Sequence, residues 1–131
     1  MKYVVDTHVL IWWIEGSKRL GASHKKILGK AGAGAPLYVS DISLLEIATL
    51  VRRGRYRIDL SIDDWLARAT AAPLVERVAI SPKIAAEVAY LPSTFHGDPA
   101  DQLIVATARV LGATLLTADE KILEAGVVPA L

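Results

Sequence analysis

Residues 95–121, FHGDPADQLIVATARVLGATLLTADEK, constrain the fold more than any other part of the chain. They predict a predominantly apolar helix over residues 102–111, and a helix apolar on most sides packs inside a protein. A short apolar run follows at residues 114–117. Similar runs stand at residues 3–5 and 37–39. Strands that are apolar throughout belong in a parallel sheet covered on both faces. In such sheets the functional crevice lies beyond the carboxyl ends of the strands, where the next helices begin. Acids occupy those positions: Asp6 after the first run, Asp98 and Asp101 at the mouth of the apolar helix, and Asp119 after the last run.

Between these landmarks helices and strands alternate. Helices are expected over residues 9–14, from Ser23 to about residue 30, and from Ser40–Ser43 through about residue 53. Others start at Ser61, at Ser81-Pro82 and at Glu120. Further strands are expected within residues 74–80 and at residues 127–128. Alternation of this kind predicts an α/β fold, a parallel sheet of four or five strands with helices on both faces. At 131 residues the chain reads as a single domain, residues 1–131. Residues 29–36, GKAGAGAP, precede a strand and lack the Lys-Ser/Thr of a phosphate loop, so they read as a connection.

Composition removes several classes of function. The absence of cysteine excludes disulfides, thiolate metal sites and thiol nucleophiles. A net charge of +1 gives no global attraction to nucleic acid, so any such binding relies on local patches. The opening MKYVVDTHVLIWWIEG is interrupted by Asp6 and His8, and no run approaches the ~18 apolar residues of a membrane helix. The expectation is a cytoplasmic protein with no membrane partner.

The acids carry the chemistry. Glu46 sits one turn inside the helix that follows residues 37–39, so acids from four parts of the chain can meet at one sheet edge. Two carboxylates ~5 Å apart repel by roughly 3 kcal/mol at an effective dielectric of about 20. Three or more in one place survive only if some are protonated or a cation sits among them. Oxygen ligands without Cys select hard ions, Mg²⁺ or Mn²⁺, which accept phosphate oxygens and activate water. Phosphodiester hydrolysis fits this inventory best.

Each acid also has an ordinary structural explanation. Asp6 and Asp119 fit helix N-caps, and Ser43 with Glu46 fits a capping box. Asp98 before Pro99 is an N-cap by position, which leaves Asp101 of that pair for the metal. Ser43 and Thr117 can orient carboxylates or water, or bond to backbone. His8, His24 and His96 lack metal-site spacing and read as packing or surface residues. Residues 52–57, RRGRYR, set Tyr56 among Arg52, Arg53, Arg55 and Arg57. They suit a helix C-terminus stopped by Gly54. They also suit phosphate contacts with one aromatic ring for stacking.

VVDTHVLIWWI, SDISLLEIATLVRRGR and HGDPADQLIVATARVLGATLLTADEKI resemble, in order, the motifs of PIN-domain ribonucleases, and most of all the VapC toxins of type II toxin–antitoxin systems. That resemblance implies a three-layer α/β/α sandwich and Mg²⁺- or Mn²⁺-dependent cleavage of RNA. It places the acidic quartet on Asp6, Glu46, Asp101 and Asp119, with Thr117 helping to order the site and Asp98 a peripheral ligand. It further implies a homodimer neutralised by a VapB-type antitoxin, with Trp12, Trp13 and Trp65 as groove, dimer or core residues. Two positions depart from the family pattern: Leu45 stands where Trp is common, and Gln102 where Arg is common. Other classes remain open beside it. One is a receiver-like module that gathers acids, Thr and Lys around Mg²⁺, although Asp6 stands alone where that class pairs its acids. Another is a catalytically silent partner that binds RNA or antitoxin without cutting.

Overall fold

The computed structural model describes residues Met1–Leu131 in full. In chain order it contains β1 (Tyr3–Val5), α1 (Thr7–Glu15), α2 (Ala22–Leu28), β2 (Leu37–Ser40), α3 (Asp41–Arg52), α4 (Ile62–Ala69), β3 (Val75–Val78), α5 (Pro82–Ala89), α6 (Pro99–Leu111), β4 (Thr114–Leu116) and α7 (Glu120–Ala125). The four strands are parallel in the order β3-β2-β1-β4.

Strand alternation divides the core into two. Val5, Val39 and Leu116 point to one face, where they meet Leu10 of α1, Leu28 of α2, Ile47 of α3 and Trp65 of α4. Val4 and Leu115 point to the other, against Ile104, Val105 and Ala108 of α6 and Ile122 of α7. Neighbouring residues of one strand thus feed opposite cores, which is why Val4 and Val5, and Leu115 and Leu116, are apolar in succession. Each fully buried Val, Leu or Ile contributes about 1.5–3 kcal/mol. The result is a three-layer α/β/α sandwich. Its α5 packs along α6, where Arg109 reaches Glu87 at 2.9 Å. No helix is long and apolar enough to cross a membrane.

Four local expectations change. The helix expected from residue 9 begins at Thr7, because Asp6 accepts from the Thr7 N–H at 2.8 Å and caps it. Ser23 does not cap α2; Gly21 takes the cap position with no side-chain bond. Ser43 and Glu46 form no capping box. Ser40 caps α3, accepting from the Ile42 N–H at 3.3 Å, and Ser43 is buried within the helix, where it accepts from the Thr7 hydroxyl at 3.0 Å. Residues 127–128 are not a strand: the Val127 carbonyl accepts from Arg109, and Val128 fills the α6-side core. Sheet-like pairing appears just beyond, with the Pro129 and Leu131 carbonyls accepting from the N–H groups of Leu115 and Thr117.

Candidate functional site

From β1 the chain moves outward to β2 and β3, then returns to place β4 on the far side of β1. The strand order reverses there, and the crevice of an open parallel sheet lies at such a point. Asp6 leaves the end of β1 and Thr117 the end of β4. The Asp6 N–H donates to the Leu116 carbonyl at 2.9 Å, locking the two strand ends together. Asp98 and Asp101 arrive from the N-terminus of α6, and Glu46 from α3.

Five carboxylates therefore line one open cavity of about 370 Å³: Asp6, Glu46, Asp98, Asp101 and Asp119, with His8, Trp12 and Ala118 completing its wall. Several also cap helices, so the two explanations available for each acid are compatible. Asp6 accepts the Thr7 N–H on Oδ1 and the Thr117 hydroxyl on Oδ2 at 2.6 Å. Thr117 Oγ1 accepts in turn from the Asp119 N–H at 3.0 Å, and Asp119 Oδ1 from the Lys121 N–H at 2.9 Å. Asp98 Oδ1 accepts from the Asp101 N–H at 2.8 Å. One hydroxyl thus ties the acid after β1 to the acid after β4.

The electrostatics of the cavity are unfavourable to so many anions. Burial pushes the Asp6 carboxyl above the usual carboxylate range, with Asp119 adding to the rise, while hydrogen bonds from Thr117 and Thr7 and the nearby His8 oppose it. Glu46 is raised by burial first, then by Asp6 and Asp98, against the Thr7 hydroxyl and His8. Burial together with the charges of Asp98, Asp6 and Asp119 pushes Asp101 up to about 7, against the Asp98 cap bond. A cation in the cavity relieves all three at once. The donors are carboxylate oxygens with one imidazole, which suits a hard divalent ion. No three of these groups already stand in a chelating arrangement. Mg²⁺ needs only one or two direct carboxylates and keeps several waters, so the residues present fit a partly water-bridged ion.

Other expected residues are placed elsewhere. Ser43 does not line the cavity; it is buried and accepts from the Thr7 hydroxyl. Arg55 lines an adjoining cavity with His8 and Trp12. Arg53 lines a groove beside Glu46 and Asp98. Arg52 and Arg57 line neither. Tyr56 is not free to stack on a ligand, because its hydroxyl donates to Glu15 and its ring meets Trp65 edge-on. Gln102, at a departure from the family pattern, donates to the Gly97 carbonyl at 3.0 Å and braces the loop before α6. His24 is buried against the Leu131 carbonyl, and His96 belongs to a separate cavity with Lys121. His8, expected as a packing or surface residue, and Trp12, expected as a groove, dimer or core residue, both line the acidic cavity. Their position just after Asp6, on the first turns of a helix that Asp6 caps, is the signal that marks them.

The sequence profile of the PIN domain matches residues 3–128. Ribonuclease VapC22 of Mycobacterium tuberculosis is 36% identical over 119 residues, spanning 91% of this chain and 88% of that protein. Among solved structures, VapBC2 from Rickettsia felis, crystallised with a DNA fragment from its promoter, aligns over 100% of this chain and 98% of that one, with a TM-score of 0.75 and 18% identity. DNA-bound VapBC from Salmonella typhimurium aligns over 100% and 97%, with a TM-score of 0.71 and 16% identity. At these identities the structural matches speak to the fold.

Proposed function

Because the chain belongs to the PIN domain family, we propose that its acidic cavity is the active site of a divalent-metal-dependent endoribonuclease. It is a ribonuclease toxin of the VapC type, held in check by a VapB-type antitoxin. The observation that carries the active-site assignment is the convergence of Asp6, Glu46, Asp101 and Asp119 from four separate segments on one cavity.

Asp6, Glu46, Asp101 and Asp119 hold Mg²⁺ or Mn²⁺ in this reading, with Asp98 at the periphery. A bound ion would supply a water that loses its proton near neutral pH to become the nucleophile for phosphorus, and would neutralise charge on the phosphoryl oxygens. The chain's own residues supply alignment. Thr117 fixes the Asp6 carboxylate by its short bond to Oδ2 and leaves the Oδ1 edge to the helix cap. Asp98 is engaged by the Asp101 N–H, which sets the first turn of α6 and hence the direction of Asp101. Asp101, pushed up to about 7 by burial and by like charges, would give up its proton when positive charge enters; Glu46 is shifted in the same direction by the same causes. The substrate is RNA, contacted by Arg53 and Arg55, which line the cavities bordering the acidic one, and the toxin acts as a homodimer.

The test is cleavage of a labelled RNA by wild type, Asp6→Asn and Asp101→Asn, each checked for folding. Loss of cleavage in both variants, loss on adding EDTA, and recovery with Mn²⁺ are expected. Activity that survives both substitutions, or that ignores EDTA, rules the reading out. RNA binding without turnover in Mn²⁺ identifies the silent partner instead. The receiver-like alternative has no support in the structure, since β3 runs into Ala79, Ile80 and Ser81 with no acid to phosphorylate.

A further inference from the structure

RNA entering the acidic cavity meets five carboxylates, so attraction for its flanking phosphates has to come from the cavity's margins. The two margins differ. On the side of Glu46 and Asp98 the groove is lined by aliphatic residues, among them the exposed Leu45, with Arg53 and no aromatic ring. On the other side lies a second open cavity of about 330 Å³ that shares His8 and Trp12 with the first and adds Arg19 and Arg55. Its size is at the lower end of the roughly 300–1,000 Å³ of small-ligand sites.

The charges in this second cavity are available. The chain's two ion pairs are Arg77–Asp41 and Arg109–Glu87, so neither Arg19 nor Arg55 is neutralised by a carboxylate. The one acid in the wall, Glu15, accepts from Trp65 Nε1 at 2.9 Å and from the Tyr56 hydroxyl on the same oxygen. Those bonds join the end of α1 to the turn after α3 and to α4, and the Arg55 N–H donates to the Leu50 carbonyl at 2.9 Å. The Glu15–Tyr56 side of the wall and the Arg55 backbone are therefore fixed before a ligand arrives, which lowers the cost of binding. Trp12 is half-buried and its ring lies 6.2 Å from the His8 ring at 57°, a tilted pair rather than a stack. Unpaired bases of single-stranded RNA stack on such rings while guanidinium groups take the backbone phosphates.

We infer that the cavity formed by His8, Trp12, Arg19 and Arg55 is the subsite for the nucleotide next to the cleaved phosphodiester, its base on Trp12 and its phosphate between the two arginines. The inference rests on the ribonuclease reading for what occupies the neighbouring acidic cavity.

The experiment measures binding of a short fluorescein-labelled single-stranded oligoribonucleotide to the full chain carrying Asp101→Asn, by anisotropy across a salt series. Adding Trp12→Ala is expected to weaken binding roughly ten- to a hundredfold, with Trp12→Phe near the parent. Arg19→Ala and Arg55→Ala are each expected to flatten the slope of log K against log salt by about 0.7, one phosphate contact on a single strand. Unchanged affinity in Trp12→Ala, or unchanged slopes in both arginine variants, overturns the proposal. Should Trp12→Ala fail to fold, the arginine variants, both at exposed positions, decide it alone. A poly-glutamate peptide that binds with this variant pattern while the RNA does not also overturns it, by showing a protein site. Cleavage by the wild-type chain in Mn²⁺ is measured in parallel on the same RNA. Binding with the expected pattern but no cleavage refutes the nuclease reading and leaves the subsite standing; cleavage with unaltered binding in the variants refutes the subsite alone.

Discussion

Asp101→Asn is expected to make the metal-free protein more stable at pH 8 while abolishing its cleavage of RNA. Burial and the neighbouring acids push the Asp101 carboxyl from 3.8 up to about 7. A tenfold change in proton affinity is worth about 1.4 kcal/mol, so the ionised form costs the fold about 4 kcal/mol before solvent is considered. Asp101 is only half-buried, and screening reduces this to about 1–2 kcal/mol. The sign follows from proton binding. Below 3.8 the carboxyl is protonated whether the chain is folded or not, and it contributes nothing to the difference. From there to about 7 the folded chain holds a proton that the unfolded chain has lost, so stability falls as pH rises, and the full cost applies above about 7. Asn removes the charge and leaves the Asp98 cap intact, because that bond uses the backbone N–H of residue 101. Urea denaturation in EDTA is expected to show the variant ahead of wild type at pH 8 and level with it near pH 4. Mn²⁺ is expected to raise the midpoint of wild type far more than that of the variant. A variant no more stable than wild type at pH 8, or equally advantaged at both pH values, refutes the account of the cavity as strained by its own charge.

Three further outcomes follow from the same geometry. Thr117→Val removes the donor to Asp6 Oδ2 and the acceptor for the Asp119 N–H; it is expected to cost about 1–3 kcal/mol in thermal or urea unfolding and at least tenfold in RNA cleavage, with Thr117→Ser restoring most of both. Gly97→Ala brings a Cβ to 2.8 Å from the Phe95 ring and 2.9 Å from Asp101 Cβ, so it is expected to cost about 1–3 kcal/mol and to lower turnover by displacing Asp101, measured as a fall in kcat under saturating Mn²⁺. Glu15, whose carboxyl is held below its usual range chiefly by Tyr56 and then by Trp65, adds stability above its ordinary value of 4.5 that is lost as pH falls through its lower folded value. Glu15→Gln is therefore expected to lower the urea midpoint at pH 7 and to converge with wild type in strong acid.

Much of the site is legible in the chain because its residues also do local work. Asp6, Asp98 and Asp119 each precede a helix and each caps it, so ordinary capping rules lead to three of the five carboxylates without any knowledge of the cavity. Ser43 fails the same logic. It stands three residues before Glu46 as a capping box requires, but Ser40 reaches the helix end first, and Ser43 turns inward to Thr7, 36 residues away. Tyr56 invites a stacking role within RRGRYR, yet Glu15, 41 residues earlier, holds its hydroxyl. Residues 127–128 have β-branched side chains suited to a strand, but the Arg109 side chain occupies the Val127 carbonyl. In each case the deciding partner is remote along the chain.

The amino-acid order alone determined the alternation of strands and helices, the two-sided burial of the apolar runs, and the positions of acids just beyond the strand ends. Those follow from the twofold period of a strand and from the unsatisfied N–H groups of a helix's first turn, which are local properties. Tertiary structure decided that β4 returns beside β1, that Thr117 therefore bridges Asp6 and Asp119, and that His8 and Trp12 join the acidic cavity to one holding Arg19 and Arg55. Charge state belongs with these. A carboxyl's affinity for its proton depends on which other carboxyls share its cavity and how much water they exclude, and both are set only when distant segments pack together.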